Sequence, residues 1–165
     1  MPSEIGQMLV SDSTRITICF GSSGYGAYGT ADYDPMLVRW SAQEDYQDWT
    51  PLATNQAGSF RLSIGSEIIT AVQARQEILV LTNAAIYAMQ YLGPPFVWGF
   101  NLLADNISIV GPNAIITAAG ATYWMGVDKF YVYGGRVETL PCSVRKYVFS
   151  DINLDQAYQF CAGTN

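Results

Sequence analysis

The side chains able to do chemistry are fourteen carboxylates, eight Lys or Arg, three cysteines and eleven tyrosines, with no histidine at all. The missing imidazole removes Ser-His-Asp and Cys-His nucleophile pairs, His-based zinc sites and the commonest general base. What remains for catalysis is a carboxylate pair or a Tyr/Glu arrangement of the glycosidase kind. Glu67, Glu77 and Glu138 fall on strands or their edges, where a solvated edge charge accounts for each, and most other acids sit in turns. Glu44, Asp45 and Asp48 lie close together but lack the D-x-D-x-D-G spacing of a calcium loop. Cys19, Cys142 and Cys161 are far apart and form no C-x-x-C pair, as expected of reduced, mostly buried thiols. These patterns lead us to expect no enzymatic activity, no metal and no cofactor.

One stretch imitates a nucleotide site. Gly24-x-Gly26-x-x-Gly29 matches the dinucleotide fingerprint letter for letter. That fingerprint needs a helix behind it, because the helix N-terminus holds the pyrophosphate. Here Asp34-Pro35 and an apolar strand come next instead. Residues 21–34 therefore read as a loop in which Tyr25, Tyr28 and Tyr33 form a candidate contact surface, ordered only when a partner covers it.

Over the whole chain, 50% of residues are apolar and 13% charged, and the net charge is −6. Ordinary soluble domains carry about a quarter charged residues, so much of this surface is expected to meet another protein. Lys and Arg are spread along the chain, with Arg145-Lys146 the one adjacent pair, and form no basic stripe of the kind a phosphate-gripping DNA binder needs. Two long uncharged runs, Ile78–Ala104 and Asn106–Val127, are broken by Pro94-Pro95, Gly99, Gly111-Pro112 and Gly120, and read as buried sheet with no membrane span. The N-terminal residues lack a basic, apolar signal pattern.

The elements repeat. Ile-Ile-Thr-Ala opens at Ile68 and again 47 residues on at Ile115, each behind a Gly-led turn. An apolar strand, a two-residue turn (Thr82-Asn83; Asp128-Lys129) and an Ile/Phe-Tyr strand come after it, with Ile86 and Phe130 44 residues apart. Periods of about 40 to 50 residues containing several short strands are those of β-propeller blades. In the second unit, from Ser66 to about Leu103, apolar residues occupy both parities, so both faces of that sheet must be covered. Prolines 94 and 95 place the strand through Phe100 at an outer edge.

A first unit is laid on the repeat by matching ITICF (16–20) to EILVL, LVRWS (37–41) to IYAMQ and DWTP (48–51) to FVWG, with GSFRLS (58–63) closing it. The third unit runs from Gly111 to about Ile152, with Val144–Phe149 expected as its outer strand. Ala157–Ala162 is expected to begin a fourth. The fold class is thus all-β, with antiparallel sheets arranged as about three propeller-like blades and part of a fourth. An open stack of this kind exposes its end faces, expected at Ile16, Ile18 and Phe20 and at Tyr158 and Phe160.

Within the first unit, Ser41…Asp45…Trp49 resembles a degenerate Asp-box of sialidase-type propellers, without that motif's Gly. The Asp would bind turn amides and the Trp would pack beneath them, a structural role. Three longer segments, Asp34–Ile68, Arg75–Phe100 and Tyr123–Asn153, carry a further resemblance. Their most specific pieces are W-S-x-Q-E…D-W-T-P, Y-L-G-P-P-F and W-M-G-V-D-K-F-Y-V-Y. Over Met36–Gly163, about three-quarters of the chain, the sequence resembles the β-propeller-containing nozzle, hub or DNA-stabilisation proteins of short-tailed bacteriophages. The resemblance implies a virion protein made in the host cytoplasm and built into the tail. It also implies a homo-oligomeric ring contacting other tail proteins, with DNA passing as cargo during ejection. Family members are longer, so residues 1–165 would be a single propeller-like region of a larger ring or longer polypeptide. The alternatives are a carbohydrate- or receptor-binding propeller using Tyr25, Tyr28 and Tyr33, and, less favoured, a carboxylate glycosidase.

Overall fold

The computed structural model describes residues 1–24 and 32–164. It is all-β with few helices: three four-stranded sheets, each antiparallel and each in simple chain order. Sheet 1 contains β1 (Ile5–Ser11), β2 (Ile16–Ser23), β3 (Tyr33–Trp40) and β4 (Gly58–Arg61). Sheet 2 contains β5 (Ile68–Gln73), β6 (Ile78–Thr82), β7 (Ala85–Gly93) and β8 (Val97–Asp105). Sheet 3 contains β9 (Ile115–Ala118), β10 (Ala121–Met125), β11 (Phe130–Tyr133) and β12 (Val137–Leu140). A one-and-a-half-turn helix, α1 (Arg145–Ser150), and a 3-10 segment (Leu154–Gln159) complete the chain.

The sheets stack in chain order, and sheet 2 lies between the other two. Side chains of opposite parity on β6 and β7 enter different cores. Ile78, Val80, Tyr87 and Met89 pack with Ile16, Ile18, Phe20, Val38 and Trp40 of sheet 1. Leu79, Leu81, Ile86 and Ala88 pack with Trp124, Tyr131 and Tyr133 of sheet 3. This is why the second unit shows no polar face in sequence: period-2 alternation survives, but both faces are inside. Sheets 1 and 2 turn the same face to their successors, and sheet 3 carries the equivalent face outward. Phe20 pairs with Val38, Leu81 with Ile86 and Met125 with Phe130 across equivalent ladders.

The first strands meet along one edge of the stack. Gln7 on β1 uses its side-chain amide as a surrogate peptide group, accepting from Ala71 N (2.7 Å) and donating to Ala71 O (3.1 Å) on β5. Thr117 on β9 lies 3.4 Å from Gln73 O, making the corresponding tie between sheets 2 and 3. The linker between sheets 1 and 2 is fastened by Tyr87, whose hydroxyl accepts from Ile64 N at 3.0 Å. The turn between β6 and β7 is closed by Thr82 Oγ1, which accepts from Ala85 N (2.9 Å) and donates to Ile64 O (2.9 Å).

Several expectations are corrected. Ile16, Ile18 and Phe20 do not form an exposed end face; all three are at most 1% exposed between sheets 1 and 2, because their parity points at sheet 2. The match of LVRWS to the repeat is displaced by one residue, since Val38 rather than Leu37 stands where Ile86 stands in its ladder. DWTP is no strand: Asp48 and Asn55 side chains satisfy the local backbone, and GSFR takes the outer place as β4. Gly58 permits that approach, because a Cβ there would stand 2.6 Å from the Trp40 ring.

In sheet 3 the outer strand is Val137–Leu140. Pro141 cannot extend its ladder, and residues 145–150 turn helical with Phe149 against Phe130, ring centroids 5.2 Å apart. The expected fourth unit does not begin at Ala157. Asn153 Oδ1 accepts from Asp155 N to start a 3-10 segment, and the chain then runs alongside Asn113, whose carbonyl accepts from Ala162 N at 2.9 Å.

If both faces of sheet 2 are core, truncation on either side is costly. Leu81→Ala, facing sheet 3, and Met89→Ala, facing sheet 1, are each expected to lose about 2–5 kcal/mol in urea denaturation. A loss well under about 1 kcal/mol at one of them would show that its face is solvated.

Candidate interaction surfaces

The Asp-box-like residues lie in the loop joining β3 to the outermost strand β4. Asp45 Oδ1 accepts from Gln47 N (2.9 Å) and Asp48 N (3.3 Å). Trp49 is buried, and its indole N–H donates to Tyr46 O at 2.6 Å. Ser41 Oγ accepts from Thr17 N at 3.2 Å and donates to Ala42 O, tying the loop to β2. The three residues thus share one folded loop, Asp45 at its exposed tip and Ser41 and Trp49 at its buried base.

A residue that sequence reasoning passed over organises this region. Arg39 on β3 is 5% exposed on the face of sheet 1 turned away from sheet 2. Its guanidinium donates to Ser23 O and Gly24 O, both 2.9 Å, and to Trp49 O at 3.1 Å, and lies 6.0 Å from the Trp49 ring centre. Arg39 therefore ties the end of β2 to the β3–β4 loop. The available signal was a lone Arg inside an otherwise apolar strand, MLVRW. Beside it, burial pushes the Cys19 thiol up to about 12, partly offset by the Arg39 charge, so Cys19 is a packing residue and no nucleophile.

Tyr25 and Tyr28 lie outside the described residues, as does most of the Gly24–Gly29 fingerprint. Tyr33 opens β3 at 41% exposure, and burial raises its pKa, with Glu67, Glu4 and Asp34 adding to the rise. The first described element after the fingerprint is a strand, β3, where a dinucleotide site would need a helix. Glu44 pairs with Arg15 at 2.7 Å, both solvent-exposed, while Asp48 binds Asn55. Among the described residues no three His, Cys, Asp or Glu side chains converge as metal ligands, and no helix is long and apolar enough to cross a membrane. Glu138 pairs with Arg136.

Glu77 has a distinct setting. Its two oxygens accept from Tyr133 OH (2.5 Å) across the sheet 2–sheet 3 seam and from Gln90 Nε2 (2.9 Å). Burial, then the Glu77 carboxylate, pushes the Tyr133 hydroxyl up to about 12.

The outward face of sheet 3 is apolar. Met125, Phe130 and Val132 there stand where Leu81, Ile86 and Ala88 stand in sheet 2. The latter three are fully buried by the next sheet. On sheet 3 the corresponding face holds an open groove of about 260 Å³ lined by Ile116, Tyr123, Met125, Phe130, Leu140 and Phe160. Helix α1 covers only part of it through Phe149. Tyr123 and Leu140 stay 37% and 38% exposed. Of the expected end-face aromatics, Phe160 packs into this region and Tyr158 points to solvent.

No family model and no curated protein matches the chain.

Two outcomes test the polar ties. Arg39→Ala leaves three buried or half-buried carbonyls without their donor and is expected to cost about 3 kcal/mol in chemical denaturation. Arg39→Lys should recover less than half of that, because one ammonium cannot span three acceptors. A loss within about 0.5 kcal/mol for Arg39→Ala would contradict the role. The folded pKa of Tyr133 is raised from 10.0 to about 12, so its contribution is complete below pH 10 and is lost as pH rises through 12. The urea midpoint of the wild type should therefore fall more steeply between those pH values than that of Tyr133→Phe. Parallel curves would show that the hydroxyl is not held in its neutral form.

Proposed function

We propose that this chain is a structural module of a short-tailed bacteriophage tail, its three sheets serving as propeller blades within an oligomeric nozzle or hub ring. The observation carrying this reading is the unidirectional stack. Every sheet presents the same face to its successor, and sheet 3 presents that face, still apolar, to no further sheet among the described residues. Apolar sheet faces of this kind are stable only when covered, and a heterologous face-to-back contact repeated around an axis generates a ring. The first strands, gathered along one edge by Gln7–Ala71 and Thr117–Gln73, are where the inner strands of propeller blades lie.

Further support comes from charge. With a net charge of −6 and no basic stripe beyond the single pair Arg145-Lys146, the surface offers phosphate no continuous grip, which suits a conduit that DNA must leave quickly. The absence of histidine and the tying of Glu77 into a seam favour an architectural role over catalysis. The sequence resemblance to phage nozzle and hub proteins supplies the biological setting.

Light scattering of the purified chain at micromolar concentration tests the assembly. The wild type is expected to exceed the monomer mass of 18.1 kDa. Tyr123→Glu combined with Leu140→Glu, at exposed positions of the sheet 3 face, should return it to that mass with an unchanged far-UV spectrum. A wild type that stays monomeric and unfolds cooperatively would overturn the reading.

A further inference from the structure

We propose that the cleft between sheets 2 and 3 is a binding site for a neutral saccharide. It opens at the hairpin end of the stack, where the β5–β6 turn (residues 74–77) faces the β9–β10 and β11–β12 turns. Its volume, about 350 Å³, falls within the range of small-ligand pockets, about 300 Å³ and upward. In contrast to the mainly apolar sheet 3 groove, its lining is polar and apolar in near-equal parts, with Arg75, Gln76, Glu77, Gln90, Thr122 and Tyr133 contributing the polar side chains.

The arrangement of donors and acceptors selects the ligand. Glu77 is fixed at the back of the cleft by Tyr133 OH and Gln90 Nε2, so each of its oxygens already accepts one bond and retains capacity for another. Gln90 spends its amide N–H on Glu77 and keeps its carbonyl oxygen as an acceptor. Arg75 and Gln76 stand exposed on the turn and make no hydrogen bond or ion pair with a described residue. Gly120 and Gly135 have φ of +82° and +109°, and nothing lies within 4 Å of a Cβ built on either, so the opposite wall is bare, accessible backbone.

Charge narrows the class. One guanidinium and one carboxylate share the cleft, so an anion meets Glu77 and a cation meets Arg75. A neutral ligand carrying adjacent donors and acceptors satisfies both. Vicinal hydroxyls of a pyranose do this: one donates to the carboxylate while its neighbour accepts from Arg75 or Gln76. The fixed carboxylate also lowers the cost of binding, since its side chain is ordered before the ligand arrives.

The site is independent of the assembly face, and its test runs on the 165-residue chain. Saturation-transfer NMR would be recorded with millimolar methyl β-D-glucopyranoside, methyl β-D-galactopyranoside, methyl α-D-mannopyranoside and N-acetyl-D-glucosamine. At least one of the four should show transfer to its ring protons. Arg75→Ala combined with Gln76→Ala, both on an exposed turn, should weaken that binding about tenfold, as loss of one to two hydrogen bonds implies. Tyr46→Ala, on the β3–β4 loop of sheet 1, should leave it unchanged. Absence of transfer from all four sugars overturns the proposal. So does binding of undiminished strength in the double variant.

Discussion

The rest of the structure depends on sheet 2 being apolar on both faces. A hairpin-built sheet with Ile78, Val80 and Met89 on one side and Leu79, Leu81 and Ile86 on the other cannot sit at a surface, and all six are at most 1% exposed. Hydrophobic burial of a side chain of this size is worth about 1.5–3 kcal/mol, so leaving the three on either face wet would cost an amount comparable with a small domain's net stability. Sheets 1 and 3 are therefore obligatory neighbours. Sheet 1 is asymmetric, apolar toward sheet 2 and mixed on its far side.

The two far sides are handled differently. On sheet 1 the outward parity carries Thr17, Cys19 and Arg39, and the β3–β4 loop folds back over it with Trp49. A buried guanidinium there donates to three carbonyls and acts as a clamp between segments. Sheet 3 has no such cover beyond α1 and the segment through Phe160. Its apolar outward parity is the feature from which an assembly role is argued.

Polar seams complement the apolar cores. Gln7–Ala71, Thr117–Gln73 and Glu77–Tyr133 each join a sheet to its neighbour by a side chain, at places where no main-chain ladder runs between the described sheets. Such bonds fix the relative setting of the sheets, which dispersion between interdigitated Leu and Ile side chains leaves loosely specified. The Glu77 seam also leaves polar capacity unused at its open end, and that is what makes the cleft above it chemically distinct.

Much of this was legible in the residues. The all-β class, the hairpin order of sheet 2 and of the first three strands of sheet 3, the outer position of the strand through Phe100 and the double-sided burial of the second unit come from period-2 patterning, the Ile-Ile-Thr-Ala repeat and two prolines. These are local signals, and a strand's alternation survives whatever packs on it. Sequence alone did not settle which neighbour each face meets. Ile16, Ile18 and Phe20 read as an end face, yet their parity points inward, because alternation defines two faces without saying which one is covered. Nor did it foresee α1. Residues 145–150 carry enough β-branched and aromatic character to read as a strand, and the completed sheet 3 with Phe130 left open made a helix bearing Phe149 the better cover. The Glu77–Tyr133 bond joins residues 56 positions apart on different sheets. No spacing rule marks such a pair, so the seam and the cleft above it exist only once the stack has formed.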